Sequence, residues 1–71
     1  MKKRSVTIQG HPTSVSIEDE FWMALQALAR DQTRTINDLV GEIDGARTSD
    51  TNLSSAIRLY VLRALQRRRT A

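Results

Sequence analysis

The stretch "TSVSIEDEFWMAL", residues 13–25, places the hardest constraint on this chain. Thr13 to Ile17 alternate polar and apolar, with Val15 and Ile17 on one face and Ser14 and Ser16 on the other, the pattern of a half-buried strand. The chain then passes directly into an acidic and strongly apolar helical pattern. A lone strand leaves its backbone N–H and C=O groups unpaired. It must therefore find another strand, in the same chain or in a second copy. Within the chain the candidate is "SVTI", residues 5–8, with Val6 and Ile8 on one face. Between the two runs lies "QGHP", where Gly10 and Pro12 are turn residues. Folding back across residues 9–12 would set Ile8 opposite Thr13 and Val6 opposite Val15, gathering the β-branched residues on one face.

Length sharpens the question. A domain of 71 residues buries only about 60% of its unfolded surface and is marginal alone. Disulfides, metals or oligomerisation usually make up the deficit. The chain has no cysteine, and His11 is its one histidine, so neither a disulfide framework nor a metal cofactor is expected. Oligomerisation remains. The lack of cysteine fits a reducing cytoplasm. No apolar run approaches the roughly 20 residues of a membrane span, and "SVTIQGHPT" after the basic start is no signal-peptide core. The sequence thus reads as one soluble, cytoplasmic domain.

Three helices are expected. The first spans 18–31, with Glu18, Asp19 and Glu20 at the positive end of its dipole. Its inward stripe is Phe21, Leu25 and Leu28 with Ala24, broadened by Trp22, Met23 and Ala29. "DQTRT" interrupts the pattern, and Thr35 is a good N-cap with Asp38 three residues on. The second helix then spans 36–46 with Ile36, Leu39, Val40 and Ile43 inward. Gly41 in its middle costs about 1 kcal/mol relative to alanine, which suits either a close backbone crossing or a tolerated weakness. After the polar "DGARTSDTN", Asp50 to Asn52 offer caps for a third helix over 53–67. Its inward face is Leu53, Ile57, Val61, Ala64 and Leu65, with Ala56 and Tyr60 adjacent and Leu59 and Leu62 to the side. The end "QRRRTA" is expected to fray.

Charge is segregated. Residues 1–17 carry Lys2, Lys3 and Arg4 without an acid. Residues 18–50 hold all eight acids against three arginines, a balance of −5, and residues 51–71 carry five arginines, or +5. Basic ends suit a polyanionic partner such as nucleic acid; solvation of a small oligomer would use the same charges. Enzyme chemistry is not indicated. The sequence offers no Ser–His–acid set, metal-ligand spacing or phosphate loop, and His11 beside Pro12 reads as a turn residue.

The order of these features supports a resemblance. Strand, acidic helix start, apolar helix, a "TRT" turn with a hydroxyl cap and a second apolar helix resemble the ribbon-helix-helix proteins, the Arc/MetJ/CopG-like regulators. "SVSIEDEFWMALQALARDQTRTINDLVGEI" carries that layout over residues 14–43. With "KRSVTIQGHPTSVSIEDEFW" before it and "NLSSAIRLYVL" after it, nearly the whole chain resembles a bacterial subfamily with an added C-terminal helix. The resemblance implies a mainly α fold with a short β-ribbon. The strand at 13–17 would pair antiparallel with its twin in an intertwined homodimer. Val15, Ile17, Leu39, Gly41 and Ile43 would lie at the dimer interface. The implied function is a dimeric, repressor-like DNA-binding regulator of transcription.

Site residues follow from the same resemblance. Ser14 and Ser16 would face base edges in the major groove. Pro12, the third outward position, departs from the longer or charged side chain that many family members place there. Backbone N–H groups of Thr35, Ile36 and Asn37 would meet a phosphate, with Arg34 adding charge, and Lys2, Lys3 and Arg4 would bind further phosphates. The alternative is a protein-interaction or antitoxin-like module that grips a partner protein through the third helix and an apolar surface with Trp22 and Tyr60. Residues 1–10 stay open between a basic arm and an extra strand. An extra strand would make the dimer's sheet four-stranded and about 14 Å across, against a major groove of about 12 Å.

Overall fold

The computed structural model describes residues 2–70. Two strands, β1 (Lys2–Ile8) and β2 (His11–Ile17), are followed by α1 (Asp19–Asp31), α2 (Ile36–Ala46) and α3 (Leu53–Thr70). Residues 2–8 are thus a strand rather than an arm, and β2 begins two residues before the expected start at 13. The strands pair antiparallel within the chain, with Ile8 opposite His11, Val6 opposite Thr13 and Arg4 opposite Val15. This corrects the expected register by two residues. The turn is the pair Gln9–Gly10, with φ of 50° and 80°, the left-handed geometry of a type I′ hairpin that glycine accepts readily at its second position. A shift of two keeps every side chain on its expected face. Val6, Val15 and Ile17 are buried beneath the ribbon.

The helices close over that inner face. Glu18 occupies the N-cap of α1, with Asp19 and Glu20 in its first turn. Trp22, Leu25, Leu28 and Ala29 are buried; Phe21 is half-buried and Met23 is 65% exposed. The stripe is therefore rotated from the expected one, towards Trp22 and away from Met23. The helix ends in a Schellman motif. Thr33 takes φ 56°, the Thr33 N–H donates to Arg30 O at 3.0 Å and the Arg34 N–H to Ala29 O at 2.9 Å. That sharp stop leaves Thr35 extended as the N-cap of α2, where its Oγ1 accepts from the Asp38 N–H at 3.1 Å.

Helix α2 buries Leu39, Val40 and Ile43. Gly41 meets no close crossing, since a Cβ built there has nothing within 4 Å. Gly41→Ala should accordingly stabilise the chain by about 1 kcal/mol from helix propensity, read as a higher urea midpoint at unchanged m-value. A loss of stability would mean that a second copy crowds this position.

Helix α3 contributes Ile57, Val61 and Ala64 to the core, while Leu65 is 43% exposed rather than inward. It continues through Thr70, beyond the end expected at 67; Met1 and Ala71 lie outside the described residues. Arg58 clamps it to the start of α1, donating from Nε to Glu18 Oε1 at 2.8 Å and from a terminal nitrogen to Oε2 at 3.1 Å. Those hydrogen bonds hold the Glu18 carboxyl below its ordinary pKa. Ser54 Oγ donates to Ser16 O at 2.8 Å, and Arg68 pairs with Asp31.

Ile17, Leu25, Leu39, Val40, Ile57 and Val61 are the largest fully buried side chains. Each gains about 1.5–3 kcal/mol by leaving water. Val15, Ile17, Leu39 and Ile43, assigned from the resemblance to a dimer interface, all lie in this intrachain core. One chain therefore closes a core that was expected to be shared. Among the described residues no helix is long and apolar enough to cross a membrane.

Candidate nucleic-acid interface

The hairpin sorts its residues into two faces. A two-residue I′ turn makes Ile8 and His11 a hydrogen-bonded pair, so the ladder bonds fall at residues 2, 4, 6 and 8 of β1 and 11, 13, 15 and 17 of β2. The alternate residues turn their side chains outward. Lys3, Ser5, Thr7, Pro12 and Ser14 are exposed and Ser16 is half-buried, so the outer face is polar apart from one proline. Ser14 and Ser16 stand where the alternation put them. Lys3, expected as a phosphate contact, shares this face, as do Ser5 and Thr7, which the expected site did not include.

The same alternate residues direct their backbone groups off the two edges of the ribbon. Pro12 sits at such a position on β2, where its missing N–H removes no bond to β1. The edge of β1 meets α2, because the Thr7 N–H donates to Asn37 Oδ1 at 3.0 Å. This bond fixes the ribbon beside the start of α2. The side chain of Asn37 is thus structural, while the N–H groups of Ile36 and Asn37 keep the orphan status of any first helical turn. Thr35 Oγ1 is committed to its cap. Asp38 in the same turn adds a negative charge that disfavours an anion there.

The arginines occupy other places than expected. Arg4 shares the inner face with Val6. Its guanidinium lies 5.5 Å from the centroid of the Trp22 ring and pairs with Asp19 at 2.8 Å, and its buried Nε lacks a hydrogen-bond partner. It is therefore half-buried structure rather than an outward phosphate contact. The signal was its parity, even like Val6. Arg34 is also engaged, donating to Glu42 Oε1 at 3.0 Å, to Asp38 O at 3.2 Å and to Gln32 Oε1 at 3.3 Å. Lys2, on the inner face at the open end of the hairpin, and Lys3, on the outer face, remain exposed cations.

The geometry is that of a two-stranded polar ribbon held against the N-terminus of a helix, with a second helix behind it. No curated protein and no solved structure matches the chain. A family model described as ribbon-helix-helix domain matches residues 1–65, nearly its full length. On that match, and on the ribbon followed by its helices, the chain belongs to the ribbon-helix-helix domain family.

Proposed function

We propose that the chain is a homodimeric DNA-binding regulator of transcription, with repressor-like action through occupancy of its site. The observation that carries this reading is the outer ribbon face, polar and exposed, locked beside the first turn of α2 by the Thr7–Asn37 bond. Ribbon-helix-helix domains generally serve DNA-binding regulators, which supports it. Ser14 and Ser16 face base edges, Lys2 and Lys3 reach phosphates, and the N–H groups of Ile36 and Asn37 take a further phosphate more weakly, against the charge of Asp38.

The dimer follows from the free edge of β2. Ser14, at its centre, is exposed, and an open strand edge invites a further strand. A two-fold axis at Ser14 would let the two Ser14 residues exchange both backbone bonds. It would also set Pro12 of each copy opposite Ser16 of the other. Pro12 O could then accept from the Ser16 N–H, but Pro12 has no N–H to return to Ser16 O. That carbonyl is the one already satisfied by Ser54 Oγ. Donor and acceptor inventories therefore balance in this register. The central β2 pair would enter the groove while the outer β1 strands, at the rims of a sheet about 14 Å wide, would lie against the phosphates with Lys3.

Two measurements test the reading. Anisotropy of a labelled random duplex should show binding that weakens steeply with salt, by about 0.9 in the log–log slope for each neutralised phosphate. Sedimentation should give a dimer that Ser14→Pro, which deletes the central N–H, converts to a folded monomer. Undetectable binding at low salt would remove the regulator reading. A monomeric native protein at micromolar concentration would remove the dimer.

A further inference from the structure

The outer face of the ribbon carries one apolar residue, and that residue has a neighbour. Pro12 is exposed there, and Thr7, also exposed, is its partner across the hairpin. The pair falls at a non-hydrogen-bonded position of the ladder, where facing side chains stand closest, with Cβ atoms about 4.5–5.5 Å apart. The pyrrolidine ring and the Thr7 methyl therefore make one small apolar patch beside the turn. The other outward pairs are Ser5 with Ser14 and Lys3 with Ser16. Lys3 stands at the far end of the hairpin, and the rest are serines, so no long side chain beside the patch holds it away from a surface that the ribbon meets. A proline also blunts a strand edge through its missing N–H. Its ring is a separate property, and it lies on the face turned towards DNA.

We infer that this patch reads the C5-methyl group of a pyrimidine, thymine or 5-methylcytosine, in the major groove. The inference rests on the DNA reading above and names what its ribbon recognises. Base edges in the major groove present donors and acceptors, and the C5-methyl is their apolar group. Apolar side chains, the threonine methyl among them, are the groups that meet it. The proline ring has no donor or acceptor of its own, so contact with a methyl is the gain open to it at a base edge. With the two-fold axis at Ser14, Pro12 lies two residues from the axis in each copy, which sets the two patches about 14 Å apart. Each patch lies beside Ser16 of the other copy. That hydroxyl can donate to thymine O4 or accept from the amino group of cytosine, the polar groups next to the methyl. The DNA site would then hold one methyl in each half, symmetric about its centre.

The test needs no operator. Anisotropy compares four short labelled duplexes on the full chain: alternating A·T, the same duplex with deoxyuridine for thymidine, alternating G·C, and the same duplex with 5-methylcytosine. Deoxyuridine removes the methyl and keeps every hydrogen-bonding group. Burying one methyl is worth about fourfold in an equilibrium constant, so with two methyls the thymine duplex should bind about fifteenfold tighter than the uracil duplex. The methylated G·C duplex should exceed its parent in the same way, and an effect in one pair of duplexes alone assigns the contact to that base. Pro12→Ser should lower the methyl ratio by about a factor of four, and adding Thr7→Ser should bring it to about one. Pro12→Val restores an N–H but keeps an apolar group, and it should keep most of the ratio. Equal binding within both pairs of duplexes would overturn the inference and leave the DNA reading standing. So would a ratio that survives Pro12→Ser with Thr7→Ser, which places the methyl contact elsewhere. A ratio lost in Pro12→Val would overturn it too, by assigning the effect to the missing N–H rather than the ring. Failure of all four duplexes to bind at low salt would remove the DNA reading, and the inference with it.

Discussion

Ser14→Asp should abolish duplex binding while the chain keeps its fold. Ser14 is exposed on the outer face of β2, so the new carboxylate costs the core nothing. On DNA it would replace a hydrogen-bonding hydroxyl with a charge facing acceptors and phosphates. A good hydrogen bond to a base is worth about 1–3 kcal/mol, and a dimer forfeits it twice, so the affinity should fall on the order of a hundredfold or more. Ser14→Ala isolates the hydroxyl, and it should change the preference among sites more than the affinity for random sequence. Lys3→Glu provides the electrostatic contrast. It should weaken every duplex alike and reduce the salt slope by about 0.9 for each phosphate left without its lysine. Arg4→Gln separates the ribbon from a basic-arm model. Arg4 stacks over Trp22 and pairs with Asp19, so its removal should lower stability and leave the salt slope unchanged. If Arg4→Gln removed DNA binding in a folded protein while Ser14→Asp did not, the ribbon would not be the reader.

The elements that were legible in the sequence are those fixed by local chemistry. Thr35 can accept from the Asp38 N–H whatever surrounds it, and the Ile36, Leu39, Val40 and Ile43 stripe then defines one face of α2. The inward parity of Val6, Val15 and Ile17 was equally plain. What failed depended on geometry between elements. Pro12 looked like a turn residue, yet the turn is only Gln9–Gly10, and proline is harmless at an edge position of β2. A wide apolar arc on α1 does not say where its centre lies. The packing of Trp22 under Arg4 rotated it and left Met23 outside. On α3 the same ambiguity left Leu65 exposed. The basic run at residues 2–4 read as one electropositive unit, but a strand divides it, with Lys3 outward and Arg4 inward. Arg34 looked like a free phosphate clamp because its partner Glu42 is eight residues away, two turns along the next helix.

Val15→Asp should unfold the chain, and it should do so at any protein concentration. Val15 is 2% exposed, among the inner-face residues of the ribbon and the core beneath them. A carboxylate there would stand across the ribbon from Arg4, and it could reach that guanidinium only by drawing it from Asp19 and Trp22. Its desolvation costs several kcal/mol whether it ionises or takes up a proton, and the packing of the valine methyls goes as well. A chain of 71 residues has a total stability of only about 4–11 kcal/mol at 0.05–0.15 kcal/mol per residue, so the far-ultraviolet circular dichroism should be that of an unfolded chain. Met23→Asp is the matched control, because Met23 is 65% exposed and the same charge stays in water; its effect should lie within about 0.5 kcal/mol. Concentration discriminates the intrachain core from a shared one. If the core were completed only by a second copy, dilution of the native protein would unfold it, because its stability would be inseparable from association. With the hairpin and three helices closing the core in one chain, dilution should dissociate the proposed dimer into folded monomers. A helical signal that disappears in step with the dimer would show that Val15 packs across chains and would return Val15, Ile17, Leu39 and Ile43 to the interface.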